Sequence, residues 1–147
     1  MAREAVLRLT SHAGERGGAQ SVWDTVNDLG VERIGHGVQA IEDPKLVDHL
    51  AQTGIVLEVN PGSNVALGVY PNLAQHPIAR LRDAGVKVTV STDDPPFFHT
   101  DMTREFEQLE RVFGWSADDF RALNATALDA AFCDAGTKEA LAKILKN

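Results

Sequence analysis

The sequence predicts an α/β fold built on a parallel sheet, and three observations predict it. Short β-branched or aliphatic runs alternate four times with longer segments of helical period, the pattern of successive βα units. The unusual polar residues fall just after an apolar run and never before it, as in "VLRL" then "SHAGE", or "VTV" then "STDDPP". Beyond Gly114 the helical period continues with no further strand. At 147 residues the chain is the size of one domain with a single core, divided into four βα units over 1–114 and C-terminal helices over 115–147.

The first unit pairs the strand "AVLRLTSH" with a helix in "GGAQSVWDTVNDLG", where Val22, Val26 and Leu29 recur at helical spacing and Gly30 supplies the stop. The second places a short strand in "ERIGHG" before the helix of "EDPKLVDHLAQTG". There Asp43 is the N-cap, Pro44 suits the first helical position and Gly54 ends the last turn. The third opens on "GIVLEV", apolar enough to be buried on both faces. It then passes through the loop "NPGSNVALGVYPNLAQ" into a helix from near Pro77 to Gly85. A loop beyond roughly a dozen residues inside a compact domain is more often functional than accidental. The fourth is "VKVTVSTDDPP" with a helix around Arg104 to Phe113. Ser116 and Asp119 then form a capping-box pattern, and two or three short amphipathic helices close the chain.

Bulk properties exclude several functions. The composition, 44% hydrophobic and 24% charged, is that of a soluble globular protein. No apolar run approaches the roughly 18 residues of a membrane span. Charges within "MAREAVLRLT" argue against a secretory signal, and the single Cys133 points to a reducing, cytoplasmic setting. A formal charge of −7 with scattered arginines excludes a polynucleotide surface, which needs a basic patch to displace counterions, while a single nucleoside stays admissible.

In α/β sheets and barrels, ligands bind where the carboxyl ends of several strands converge. His12, Glu15, His36, Asn64, Asp93 and Asp94 therefore share one expected cavity. Singly, each has an ordinary reading. His36 alone is a hydrogen-bonded structural histidine, and Asp-Asp-Pro-Pro alone is a turn. His12 with Glu15 says more, because Gly14 lets the backbone bend so that both side chains face one point. His49, His76 and His99 read as surface or loop histidines. Together an imidazole and a carboxylate suit Zn²⁺, whose hydrolytic sites keep one position open for water. Since adjacent residues of an extended chain point opposite ways, Asp93 and Asp94 are expected to serve different partners.

The motifs "SHAGE", "ERIGHG" and "STDDP", in this order and at these separations, together with "NPGSNVALGVYPNLAQHPIARLRDAG", resemble the adenosine deaminase family of zinc-dependent amidohydrolases. The resemblance covers nearly the whole chain. It implies the C-terminal half, strands five to eight with the terminal helices, of a TIM (β/α)8 barrel. It implies deamination of adenosine or adenine to inosine or hypoxanthine with release of ammonia. By position it makes His12 a zinc ligand and Glu15 the acid that protonates purine N1. It makes His36 the residue that orients and helps deprotonate the zinc-bound water. Asp93 completes the metal shell and bonds the hydroxide, and Asp94 holds purine N7.

Two departures from the family pattern carry expectations of their own. The chain contains no His-x-His, the pair that supplies two further zinc ligands on the first barrel strand of such enzymes, so zinc is left with two protein ligands. An open half barrel is also expected to expose its edge strands and an apolar face. Closure then comes from a homo-oligomer or a complementing N-terminal half, and a truncated, non-catalytic relative is the contrasting possibility. The smaller departure is Asn60 before Pro61, where the family more often has Cys-Pro; it lies beside the pocket and leaves the chemistry alone.

Overall fold

The computed structural model describes residues 7–145. Four parallel strands, β1 (Thr10–Ala13), β2 (Arg33–His36), β3 (Val56–Val59) and β4 (Val88–Val90), lie side by side in chain order. Among the described residues β1 and β4 each pair on one side only. The start of the sequence "AVLRLTSH" lies outside the described residues.

The first crossover is α1 (Gly18–Asp24), which widens into a π-helical turn over Thr25–Leu29 and stops at Gly30 in the left-handed conformation. The second carries a 3₁₀ turn, Val38–Glu42, and α2 (Pro44–Thr53). As expected, Asp43 caps α2 by accepting from the Lys45 amide at 2.9 Å, Pro44 takes the first turn, and Gly54 ends it. The "NPGSNVALGVYPNLAQ" segment is not loop throughout. Pro61 starts a short helix, α3 (Pro61–Ala66), closed by the Asn64 amide on the Asn60 carbonyl at 2.9 Å, and a 3₁₀ turn follows at Leu73–Gln75. Proline pre-sets the backbone angle of a first helical turn without sacrificing an amide, which explains a helix in so short a stretch. After α4 (Ile78–Asp83) and β4 come α5 (Pro95–Phe98), α6 (Met102–Phe113), α7 (Ala117–Ala130) and α8 (Ala135–Leu145). The Ser116–Asp119 capping box forms as the sequence indicates.

The two faces of the sheet differ. One presents Ile34, Leu57, Val59 and Val88 to Leu46, Leu50, Ile78 and Leu81 of the helices, and this is the core. The register sets Thr10 beside Arg33 and Val56, and His12 beside Gly35, Glu58 and Thr89, on the other face. That face is polar. Thr10 Oγ1 donates to Glu58 Oε2 at 3.0 Å, and Arg33 Nε lies 3.4 Å from Glu58 Oε1. The Arg33 guanidinium also covers the Phe132 ring at 3.7 Å. The apolar open face expected of a half barrel is therefore corrected: the alternation that buries aliphatic residues against the helices leaves the intervening polar positions here.

Candidate active site

The site is assembled at the carboxyl ends of all four strands. Gly14, just past β1, adopts φ +64, and a Cβ there would stand 2.4 Å from Val22 Cγ2. The turn it makes swings Glu15 back over the sheet, and the Gly37 amide on Ala13 O and the Gln39 amide on Gly14 O, both 2.8 Å, tie it to the end of β2. His36 is itself left-handed, at φ 62, a conformation that costs energy in a residue with a side chain and is common at functional sites. His12 projects from the polar face over Gly35, where a Cβ would come within 3.1 Å of its ring. The two imidazoles lie with centroids 5.3 Å apart.

Asp93 also adopts the left-handed conformation, φ 58. Ser63 Oγ, from α3, donates to its Oδ2 at 2.7 Å. His36 Nε2 then sits 3.7 Å from Glu15 Oε2 and 3.7 Å from Asp93 Oδ2, so the buried ring faces two carboxylates that are each about one-quarter exposed. Burial pushes the His36 pKa down from its ordinary value, partly opposed by the Glu15 and Asp93 carboxylates and assisted by His12.

His12, Glu15, His36 and Asp93 are thus brought together. Asp94 is exposed at the start of α5 and caps nothing with its side chain. The two aspartates do diverge, but not by strand alternation: β4 ends at Val90, and the left-handed turn at Asp93 separates them.

Behind His36, Asn64 Nδ2 lies 3.1 Å and Asn60 Nδ2 3.3 Å from its Nδ1. Asn64 Oδ1 in turn meets His76 Nε2 at 3.1 Å. His76 is only 2% exposed, packed edge-on against Tyr70, and burial lowers its pKa to about 4. His76 does lie in a connecting loop, as expected, but it is buried rather than at the surface; His49 is half-buried against Trp23 and His99 is exposed. Ser63 is a further site residue not expected from the sequence, although its place in "PGSN" directly after a buried strand is a signal for it.

A cavity of about 420 Å³ on the polar face is lined by His12, Glu58, Asn60, Thr89, Ser91 and Asp93. Among the described residues no group of three or more His, Cys, Asp or Glu side chains forms a metal cage. Of the imidazole and two carboxylates on that cavity, Glu58 is engaged by Thr10 and Arg33, which leaves His12 and Asp93 as donors of the kind that suit a borderline divalent ion.

A family model described as adenosine deaminase matches residues 1–147, and the chain belongs to that family. It is 56% identical over 141 residues to an adenine deaminase of Rhizobium rhizogenes, covering 96% of this chain and 44% of that protein. It is 55% identical over 141 residues to one of Rhizobium leguminosarum bv. trifolii, with the same coverage. The α/β fold with its parallel sheet matches the crystal structure of an adenine deaminase from Arthrobacter aurescens. The TM-score is 0.94 at 35% identity, over 99% of this chain and 44% of that one. A zinc-bound amidohydrolase from Burkholderia ambifaria matches at TM-score 0.87 and 29% identity, over 98% of this chain and 41% of that one. The chain spans less than half the length of these relatives. Among the described residues no helix is long and apolar enough to cross a membrane.

Proposed function

We propose that this chain carries the proton-transfer side of a purine deaminase site, converting adenine, or adenosine, and water to hypoxanthine, or inosine, and ammonia. The observation that carries the reading is the imidazole of His36 held 3.7 Å from both the Glu15 and the Asp93 carboxylates, with His12 beside them. The adenine deaminases among the relatives favour the free base.

His12 and Asp93 are the residues that would hold Zn²⁺, and a bound divalent ion lowers the pKa of a coordinated water from 15.7 to about 7. This chain's residues supply the rest. The His36–Asp93 pair receives a proton from the attacking water as its oxygen bonds to purine C6. Glu15 is the acid that gives a proton to N1, which relieves the ring of the negative charge that addition would place there. The C6–N6 bond then breaks with its electron pair on nitrogen, which takes the proton held by the pair and leaves as ammonia. The remaining hydroxyl proton returns to Glu15 as the C6 carbonyl forms. Asp94, exposed at the start of α5, is the residue proposed to hold purine N7.

The chain is further proposed to correspond to strands five to eight of a (β/α)8 barrel, with the remaining zinc ligands and the closure of both sheet edges supplied by an N-terminal half or a second copy. The test is ammonia release from adenine and from adenosine by the zinc-supplied chain, alone and mixed with the N-terminal half of a relative, against Glu15→Gln. Release in the mixture that Glu15→Gln lowers roughly 100-fold or more is expected. Release unchanged by that substitution would remove Glu15 from its role, and none in any mixture would leave the non-catalytic alternative.

A further inference from the structure

The polar atoms behind His36 form one chain of hydrogen bonds whose direction is fixed at its far end. The Ile78 amide donates to His76 Nδ1 at 3.2 Å, and a backbone N–H can only donate. His76 Nδ1 is therefore an acceptor. The ring is buried and neutral, so its single proton sits on Nε2 and points at Asn64 Oδ1, 3.1 Å away. With its oxygen engaged there, Asn64, fully buried, turns its amino group to His36 Nδ1 at 3.1 Å. Asn60 acts in the same sense: its amino group donates to the Glu58 carbonyl at 3.4 Å, which can only accept, and this holds the same Nδ2 3.3 Å from His36 Nδ1.

We infer that His76, acting through Asn64, is a positioning residue that sets the tautomer of His36, so that the ring's one proton lies on Nε2 and faces Glu15 and Asp93. The inference rests on the deaminase reading for its catalytic meaning but not for its geometry. A histidine's tautomer is set by the hydrogen bond its other nitrogen makes, and here that bond is dictated from a backbone amide two residues past His76. A neutral His36 then presents a donor, not a lone pair, to whatever lies between the carboxylates. It can hold and stabilise an oxygen nucleophile but cannot take its proton at Nε2. Within the His36–Asp93 pair the base is therefore Asp93, in place of the role that a near-neutral imidazole suggests from sequence alone. It also gives Asn60 a function: the amide at this position adds a second donor to Nδ1.

The experiment is a long-range ¹H–¹⁵N correlation of the histidine rings in the uniformly ¹⁵N-labelled chain near neutral pH, with His76→Gln and the double variant Asn60→Ala/Asn64→Asp alongside. In the wild type, His36 Nδ1 should resonate as an unprotonated ring nitrogen and Nε2 as a protonated one. His76→Gln retains a donor toward Asn64 and should preserve that pattern. Asn64→Asp, made together with Asn60→Ala so that no other amide donates, can only accept, so the His36 Nδ1 resonance should move to the protonated range. A wild-type His36 protonated on Nδ1 overturns the inference, and so does an Asn60→Ala/Asn64→Asp spectrum with Nδ1 still unprotonated. None of these readouts needs substrate, so a chain that deaminates nothing yet shows the expected tautomer would count against the deaminase reading alone.

Discussion

The two faces of this sheet share every backbone hydrogen bond yet are built to opposite rules. On the helix-covered face Ile34, Leu57 and Val59 are fully buried among aliphatic side chains, while one residue along each strand Arg33, Gly35 and Glu58 line an open polar surface. Packing decides the first face, since removing a methylene there loses contacts the neighbours cannot restore. Chemistry decides the second: Gly35 is small because His12 lies on it, and Glu58 is charged among Thr10 and Arg33. A partner that closes the sheet would meet edge-strand backbone and a polar floor, not a hydrophobic one.

The comparison breaks most easily on the packed face. Leu57→Ala should cost about 2–5 kcal/mol in urea unfolding; a loss below about 1 kcal/mol would show that this face is not the core. Next comes acid. The unfolded chain takes up a proton on His76 near its ordinary value of 6.5, whereas the folded chain does so only near about 4. The stabilisation is whole above pH 6.5 and is lost as pH falls through that interval, about 3 kcal/mol from this one residue. His76→Gln should flatten that part of the stability–pH curve, and an unaltered slope would contradict the burial described.

How much of this could be seen beforehand divides along similar lines. The caps at Asp43, Gly54 and Ser116 and the turn at Gly14 were legible because each is decided by two or three neighbouring residues. The grouping of His12, Glu15, His36 and Asp93 was legible because all four lie at or just past the carboxyl ends of strands. His76 was not, since its burial depends on Asn64 and Tyr70 arriving from the preceding segment. Nor was the divergence of Asp93 from Asp94 legible for the right reason, because a left-handed residue interrupts the alternation that a strand would impose. The polar face was hidden for a different cause: "GIVLEV" reads as buried on both sides, and only the register with Thr10, Arg33 and Thr89 shows where Glu58 points.

Smaller effects sharpen the polar face. Gly35→Ala places a methyl 3.1 Å from the His12 ring, so the ring must move by a few tenths of an ångström. Stability should fall by about 1 kcal/mol, while the His12 ring resonances shift more than those of any other histidine. Glu58→Gln should change stability by less than about 1 kcal/mol, because a partly exposed ion pair contributes little. A larger loss would mean that the polar face takes part in holding the fold.

His12 and Asp93 are proposed to converge on one divalent ion. Calorimetric zinc titration of the chain and of His12→Ala, Asp93→Ala and the double variant tests it as a cycle. Each single change should weaken binding roughly tenfold or more, and the double should be hardly weaker than either. Losses that simply multiply, or zinc binding indifferent to both residues, would contradict it.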